Sequence, residues 1–529
     1  MALVGYVSDE RYLALAGVHV EFIAADGAST AALSRASGAV HAELPAGDYA
    51  VVLAKDGFGA KRGAVRLPAA QPHHFRLLPD RLWGYAWPKA VRAGESAEFR
   101  VHSPEQYKVE LWRYGRDKSL IAPIGWYDEH GPRATVQVSP DGDYTQGGVR
   151  WNSVGYANPD HVQRVAAPAR SGLYYLHAKG ESGAFFSFPW VIAPEKPSAP
   201  IAVLAQDLTW NAYNNFGGRS NYIHPEGLPS TPTANARMEL SRYLDPAHSV
   251  YNVRDYPPLS MDRPELINHV PEGDRIASPI EGRSPNHLAP AEWRLLGWME
   301  REGFAYDLYA ESQLARGLVN LDAYRVVVTG PHPEYWTRGM YDQLKAWVHE
   351  RGGRLIYMGG NGLNCEAELT DGDATVVHHN GVADEVRANY ESRFHARVAP
   401  EAQLLGVVYD RRGIMTAAPY EARNAAHWAF EGTGLEQGAL FGQRSQHMRI
   451  PGGASGHETD KISPANSPPN VELLAKGLNP DGGGAEMAVY ETPSGGAVFA
   501  AGSICYVSSL WVDDGVSRVT ANVFRRFLR

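Results

Sequence analysis

The sequence predicts a multidomain protein: two N-terminal antiparallel β-sandwich domains followed by a C-terminal doubly wound α/β domain. Three observations carry this prediction. Residues 1–192 alternate apolar and polar side chains between Gly, Asp and Pro turns, as strands of antiparallel sheets do. Residues 193–200 read APEKPSAP, a Pro-rich linker. Beyond it, short apolar runs alternate with helical periodicity, the pattern of a mainly parallel sheet with helices packed on it. At 529 residues the chain is too long for one core, so several units are expected.

Within 1–80, Val18, Val20 and Phe22 precede the turn Ala25-Asp26-Gly27, and Tyr49, Val51 and Leu53 precede Asp56-Gly57. The stretch PAGDYAVVLAKDGF (45–58) resembles the strand-and-turn signature of carboxypeptidase-regulatory-like sandwiches, which concerns scaffold and not chemistry. Within 81–192, strands are expected at 97–101, 108–112, 134–138, 173–178 and 185–192. Trp83, Tyr85, Trp87, Trp112 and Trp126 have two readings, a sugar-stacking platform or sandwich core. The core reading leads, because aromatic rings bury the most area per residue.

The region 201–529 is organised around 324–363. Val326, Val327 and Val328 form a β-branched run suited to a strand buried on both faces. Thr337 is placed to cap a helix whose inner face carries Tyr341, Leu344 and Val348 and which Gly352-Gly353 ends; Leu355, Ile356 and Met358 make the next strand. Ligands of open α/β sheets sit beyond the carboxyl ends of strands, where His332-Pro333-Glu334 and the Gly359–Gly362 turn would lie. A first strand is expected at 201–205, a helix at 291–302 with Leu295, Leu296 and Met299 inward and Gly303 at its end, and a strand at 304–309. Segment 206–289 is polar, rich in Tyr, Asn and Pro, and longer than a compact fold needs for a connection, which marks it as functional. Segment 376–467 reads as an inserted β segment, and 497–501 and 516–528 as a final buried strand and helix.

A net charge of -9 and a pI near 6.1, with no Lys/Arg block, argue against nucleic acid or anionic membrane as partner. Cys365 and Cys505 are the only cysteines, so no disulfide framework is expected. No apolar run of about 18 residues and no signal-peptide pattern occur, so a soluble cytoplasmic protein is expected. Motifs of P-loop, dinucleotide-binding and zinc sites are missing.

What remains is a set of oxygen-rich loops. A phenol with its ordinary pKa near 10 binds a metal well only when the cation is acidic enough to displace the proton, as ferric iron is. On composition alone, tyrosines at loop starts are more often wedged rings with a bonded hydroxyl. His332 and His457 read equally as loop histidines bonded to backbone, Asn361 as a residue tolerating left-handed backbone, Arg219 and Arg263 as loop ties, and Glu458 as a solvated charge.

The motifs AYNNFGGRS, SVYNVRDYPPLSMDRP, TGPHPEYWT, GGRLIYMGGNG, FEGTGLEQGALFG and SGHETDK occur in this order between residues 200 and 529. In them the chain resembles the catalytic part of the N,N-dimethylformamidase large (β) subunit family, a branch of the class I glutamine-amidotransferase-like fold. The resemblance implies a mononuclear Fe(III) held by two tyrosinates and one glutamate, with a second glutamate assisting the water that attacks a small amide. Carried over by position, it implies Tyr213, Tyr251 and Glu334 as metal ligands, with Tyr256 a close competitor of Tyr251 and Tyr222 a third. It implies Glu458 as the general acid/base, with His332 and Asn361 lining the pocket. It further implies a small-molecule amide substrate and a small accessory subunit; homo-oligomerisation is a base-rate expectation. Two other readings stand beside it. One is a cysteine-nucleophile hydrolase on the same fold using Cys365, whose surroundings lack the tight strand-end elbow such a nucleophile needs. The other is a non-catalytic carbohydrate- or protein-binding module.

Overall fold

The computed structural model describes residues 2–9, 12–58, 60–127, 163–216, 220–222, 230–233, 258–370, 372, 374–381 and 389–529. Its regular structure is mostly β-sheet, spread over several sheets, with few helices.

In the first unit, Ala2–Asp9 lies between the antiparallel Ala39–Ala42 and the parallel His73–Leu77. A second sheet has the order Ser29–Leu33, His19–Ala24, Gly47–Ala54, Lys61–Leu67. Val7, Val20, Phe22, Val51, Leu53 and Phe75 form the core. The next unit pairs Lys118–Tyr127, Tyr107–Tyr114, Gly172–Gly180, Phe185–Ala193 and Ala90–Arg92 in one sheet, and Arg164–Ala166, Ser96–His102 and Trp83–Trp87 in another. The strands expected at 97–101, 108–112, 173–178 and 185–192 all fall inside these; 134–138 lies outside the described residues. Trp83 and Tyr85 are buried, so their rings belong to the packing, whereas Trp126 is exposed.

A nine-stranded sheet dominates the rest. Its parallel part runs Tyr306–Ala310, Ile201–Ala205, Val326–Thr329, Arg354–Tyr357, Ala497–Ala500, and Glu486–Glu491, Glu472–Gly477, Tyr420–Ala422 and Leu440–Phe441 extend it in antiparallel fashion. Counted along the chain, the five parallel strands have the order 2-1-3-4-5. Such an order reverses between its first and third strands, and the crevice at that reversal is where ligands bind in open sheets. Val326, Val327 and Val328 are fully buried, as a β-branched run between covered faces requires. The helix Arg338–Arg351 begins where the Thr337 side chain accepts from the Met340 amide at 3.1 Å and ends at Gly352 with φ 76°. The helix Ala289–Glu302 likewise ends at left-handed Gly303, and Asp514–Leu528 closes the chain.

Two expectations need correction. The strand expected at 304–309 occupies Tyr306–Ala310. Segment 206–289 opens with a helix, Asp207–Tyr213, that was not legible as one. All seven of its residues are buried, polar ones included, so it has no apolar stripe for periodicity to reveal.

The β units and the large sheet are locked together. Tyr114, Tyr175 and Val191 share one core with Ile201, Trp293 and Leu296. Arg113 pairs with Glu300, Lys89 with Glu265 and Arg100 with Asp262, and the Tyr85 hydroxyl donates to Asp262 Oδ1 at 2.7 Å. Among the described residues no helix is long and apolar enough to cross a membrane.

Candidate active site

The site forms at the carboxyl ends of the first and third parallel strands. Ile201–Ala205 leads into Gln206 and the helix that ends with Tyr213; Val326–Thr329 leads into the His332-Pro333-Glu334 turn. The two are stitched together. The His332 amide donates to Gln206 Oε1 at 2.5 Å, and the Glu334 amide to Thr209 Oγ1 at 3.1 Å. Gln206 is held by Glu292, whose Oε1 accepts from Gln206 Nε2 at 2.8 Å and Trp210 Nε1 at 2.7 Å; burial pushes this carboxyl up to about 8.

Behind the fourth strand, Arg354–Tyr357, the Gly-Gly-Asn-Gly turn brings a third wall. A Cβ on Gly359 would meet the Pro331 carbonyl oxygen at 2.4 Å, and one on Gly360 the Glu458 carbonyl oxygen at 2.4 Å, so only glycines let these backbones touch. Asn361 has φ 51° and His457 φ 64°, left-handed conformations that non-glycine residues hold only when surroundings enforce them. Asp460 is one such enforcer: its Oδ1 accepts from the Asn361 amide at 2.7 Å and its Oδ2 from the Tyr357 hydroxyl at 2.8 Å.

The side chains then converge. The Tyr213 hydroxyl donates to Glu334 Oε2 at 2.7 Å and the Tyr222 hydroxyl donates to the same oxygen at 2.8 Å. His332 Nε2 stands 3.3 Å from Glu334 Oε2 and 3.5 Å from Glu458 Oε2, and Asn361 Nδ2 donates to Glu458 Oε2 at 2.8 Å. Arg283 lies 3.7 Å from Glu458 Oε1 and donates to His457 Nε2 at 3.0 Å, with its guanidinium over the Tyr213 ring. Tyr213, Glu334, Glu458, His332 and Asn361 are all buried.

Burial, followed by the Glu334 carboxylate, pushes the Tyr213 and Tyr222 phenols well above their ordinary range. Burial holds the His332 imidazole below its usual value against the opposing pull of Glu334 and Glu458, so the ring is neutral near pH 7. Two carboxylate oxygens face Nε2, which places the ring proton there. Nδ1 then accepts from His287, whose Nδ1 is 3.2 Å away. Among the described residues, His332 Nε2 and Asn361 Oδ1 are buried without a well-aligned hydrogen-bond partner.

Five sequence-derived candidates, Tyr213, Glu334, Glu458, His332 and Asn361, therefore meet, although the bonded pair Tyr213 and Glu334 is 121 residues apart in sequence. Tyr222 joins them. Tyr251 and Tyr256 lie outside the described residues, as does Arg219. Arg263 is a loop tie, donating to the Ser260 and Phe216 carbonyls. Cys365 is buried at the start of the Cys365–Thr370 strand, with its sulfur against the His379 carbonyl. Sequence reasoning missed Arg283, His287, Tyr335 and Arg393; each matters through neighbours remote in sequence, and only Tyr335 sits inside a quoted motif.

Replacing Gly360 by alanine tests the close approach directly. The added methyl group must displace the Glu458 backbone, and misplacing a reacting group by about 1 Å costs roughly 10²-fold in rate. We expect a loss of that order in turnover together with a lower unfolding midpoint, because the atoms that must shift are backbone atoms of Glu458 and Ile504.

Comparison with known proteins adds the family. Residues 121–518 match the family described as "N,N-dimethylformamidase beta subunit-like, C-terminal". The N,N-dimethylformamidase beta subunit of an Alcaligenes species is 27% identical over 528 residues, covering 86% of this chain and 60% of that protein. The protein of the same name from Paracoccus aminophilus is 27% identical over 433 residues, covering 68% of this chain and 53% of that protein. The chain thus spans a little over half the length of these relatives. A solved DUF3823 family protein from Bacteroides ovatus aligns with 12% identity over 35% of this chain and 96% of that one, at a TM-score of 0.13, too low to bear on the fold. With three quarters of its length inside the match, the chain belongs to the N,N-dimethylformamidase beta subunit-like family.

Proposed function

We propose that this chain is an iron-dependent amidohydrolase acting on a small amide of the N,N-dimethylformamide type. The observation that carries the reading is the meeting of two phenols on a single oxygen of Glu334, with Glu458 in reach of the same histidine. We read the fold around it as two β-sandwich domains before a doubly wound amidotransferase-like domain, and the protein as a cytoplasmic homo-oligomer working with a small accessory subunit.

The donor set fits Fe(III). The oxygen donors that converge on Glu334 are the phenols of Tyr213 and Tyr222. Phenols raised by burial surrender their protons only to a strongly acidic cation, and two phenolates with one carboxylate neutralise a trivalent one. Tyr213 and Glu334 supply two of the ligands. The second tyrosine is Tyr251 on the resemblance, with Tyr222 the phenol beside Glu334 and Tyr256 the remaining competitor.

When bound, such an ion acts as a Lewis acid that polarises the amide carbonyl and acidifies water. The chain's residues do the rest. Glu458 takes a proton from the attacking water and returns it to the departing amine nitrogen, so that amide and water become carboxylic acid and amine. Asn361 orients Glu458 through Oε2. His332, with its proton on Nε2, donates to the oxyanion that develops on the carbonyl oxygen.

The test is elemental analysis with an absorption spectrum of the full chain, alongside release of dimethylamine from N,N-dimethylformamide with and without a thiol-blocking reagent. We expect bound iron, a visible tyrosinate charge-transfer band and activity indifferent to thiol blocking. An iron-free, colourless protein that remains inactive after ferric loading would overturn the reading. Single Tyr→Phe changes at 222, 251 and 256 should abolish the band at one position alone and so name the second phenolate.

A further inference from the structure

We propose that Arg393 and Tyr335 are positioning residues that dictate which oxygen of Glu334 faces the reacting centre, an inference that rests on the iron-site role of Glu334 given above. Its basis is a closed circuit of hydrogen bonds that leaves one oxygen of this carboxylate and returns to the other. Arg393 donates through Nη2 to Glu334 Oε1 at 3.4 Å and through Nη1 to Asn380 Oδ1 at 3.1 Å. Asn380 and Asn221 exchange amide bonds, Asn380 Nδ2 to Asn221 Oδ1 at 2.6 Å and Asn221 Nδ2 to Asn380 Oδ1 at 3.0 Å. Asn221 Nδ2 also donates to the Tyr335 hydroxyl at 2.9 Å, the Tyr335 and Tyr222 hydroxyls are 2.6 Å apart, and Tyr222 closes the circuit on Glu334 Oε2.

The circuit has a direction. A guanidinium can only donate, so Glu334 Oε1 is fixed as its acceptor. Tyr335 oxygen accepts from Asn221, and Tyr222 gives its proton to Glu334, so the Tyr335 proton points at Tyr222 oxygen. Each member is held from a different part of the fold. The Tyr335 backbone pairs with Cys365 and its ring packs edge-on against His378 at 4.9 Å; Arg393 opens the helix Arg393–Arg397, and its side chain is 10% exposed. With both oxygens engaged the carboxylate cannot rotate. Glu334 therefore presents Oε2 alone to Tyr213, Tyr222 and His332, while Oε1 is occupied by Arg393.

Removing Arg393 frees Oε1 to swing toward the centre, so the change is one of ligand geometry and not only of rate. Outer partners of metal ligands typically affect affinity or activity by about 10–100-fold. In the iron-loaded full chain, Arg393→Met is expected to keep colour, shift the charge-transfer maximum, and lower kcat by about 10–100-fold with KM nearly unchanged. Arg393→Lys, which retains a donor, should recover part of kcat. Tyr335→Phe removes one oxygen, leaves the packing, and should also move the band; it decides the matter if Arg393→Met does not fold. Band positions of Arg393→Met and Tyr335→Phe identical to wild type would overturn the inference, even with a lower rate, because a merely structural role leaves the spectrum unmoved. A wild-type chain that takes up no iron would instead overturn the functional reading beneath it.

Discussion

Glu334→Gln is expected to yield a colourless chain that retains no iron and hydrolyses amide at background. The change conserves shape and removes charge from the one residue on which both phenols converge. Two effects add. A neutral amide oxygen is a poor ligand for a trivalent ion, and the site loses a negative charge needed to balance it. Glutamine also carries donors, and one of its amide protons must face either the Arg393 guanidinium or the two phenolic hydroxyls. Elemental analysis, the visible spectrum and amine release all read the result, and a coloured, iron-bearing Glu334→Gln chain would remove this residue from the ligand set.

Glu458→Gln should behave oppositely with respect to the metal. Glu458 is linked to Glu334 through His332, whose Nε2 is 3.3 Å from Glu334 Oε2 and 3.5 Å from Glu458 Oε2. Iron and colour should survive, while kcat falls by about 10²–10⁴-fold, the usual worth of a positioned general acid/base. Glutamine preserves the Asn361 contact through its oxygen but cannot take a proton from water. Glu458→Asp, which shortens the side chain and keeps the base, should recover part of the rate. Full activity in Glu458→Gln would assign proton transfer to another group.

Much of the frame was legible in residue patterns because local rules and tertiary burial agree there. Val326, Val327 and Val328 are a buried central strand, and Thr337 and Gly352 bound the following helix as capping chemistry dictates. The helix Asp207–Tyr213 was hidden because its buried polar side chains serve neighbours such as Glu334 and Ser260 and not a stripe of their own. The candidate site was legible only as a succession of motifs. Nothing in composition links Tyr213 to Glu334, and the glutamates, histidine and asparagine have ordinary roles at most other loops. Arg393 had no signal at all: it opens a short helix, and its importance arises from reaching Glu334, 59 residues earlier.

The buried ion pairs that bind Lys89 to Glu265 and Arg100 to Asp262 have an architectural consequence. Cutting the chain before residue 201 would remove both cations and lay bare the apolar surface of Ile201, Trp293 and Leu296, which Tyr114, Tyr175 and Val191 cover in the whole chain. The front of this molecule is therefore no detachable accessory. Swapping it between relatives should succeed only when the acidic Met261–Glu265 stretch travels with its basic counterparts, as a single inherited block.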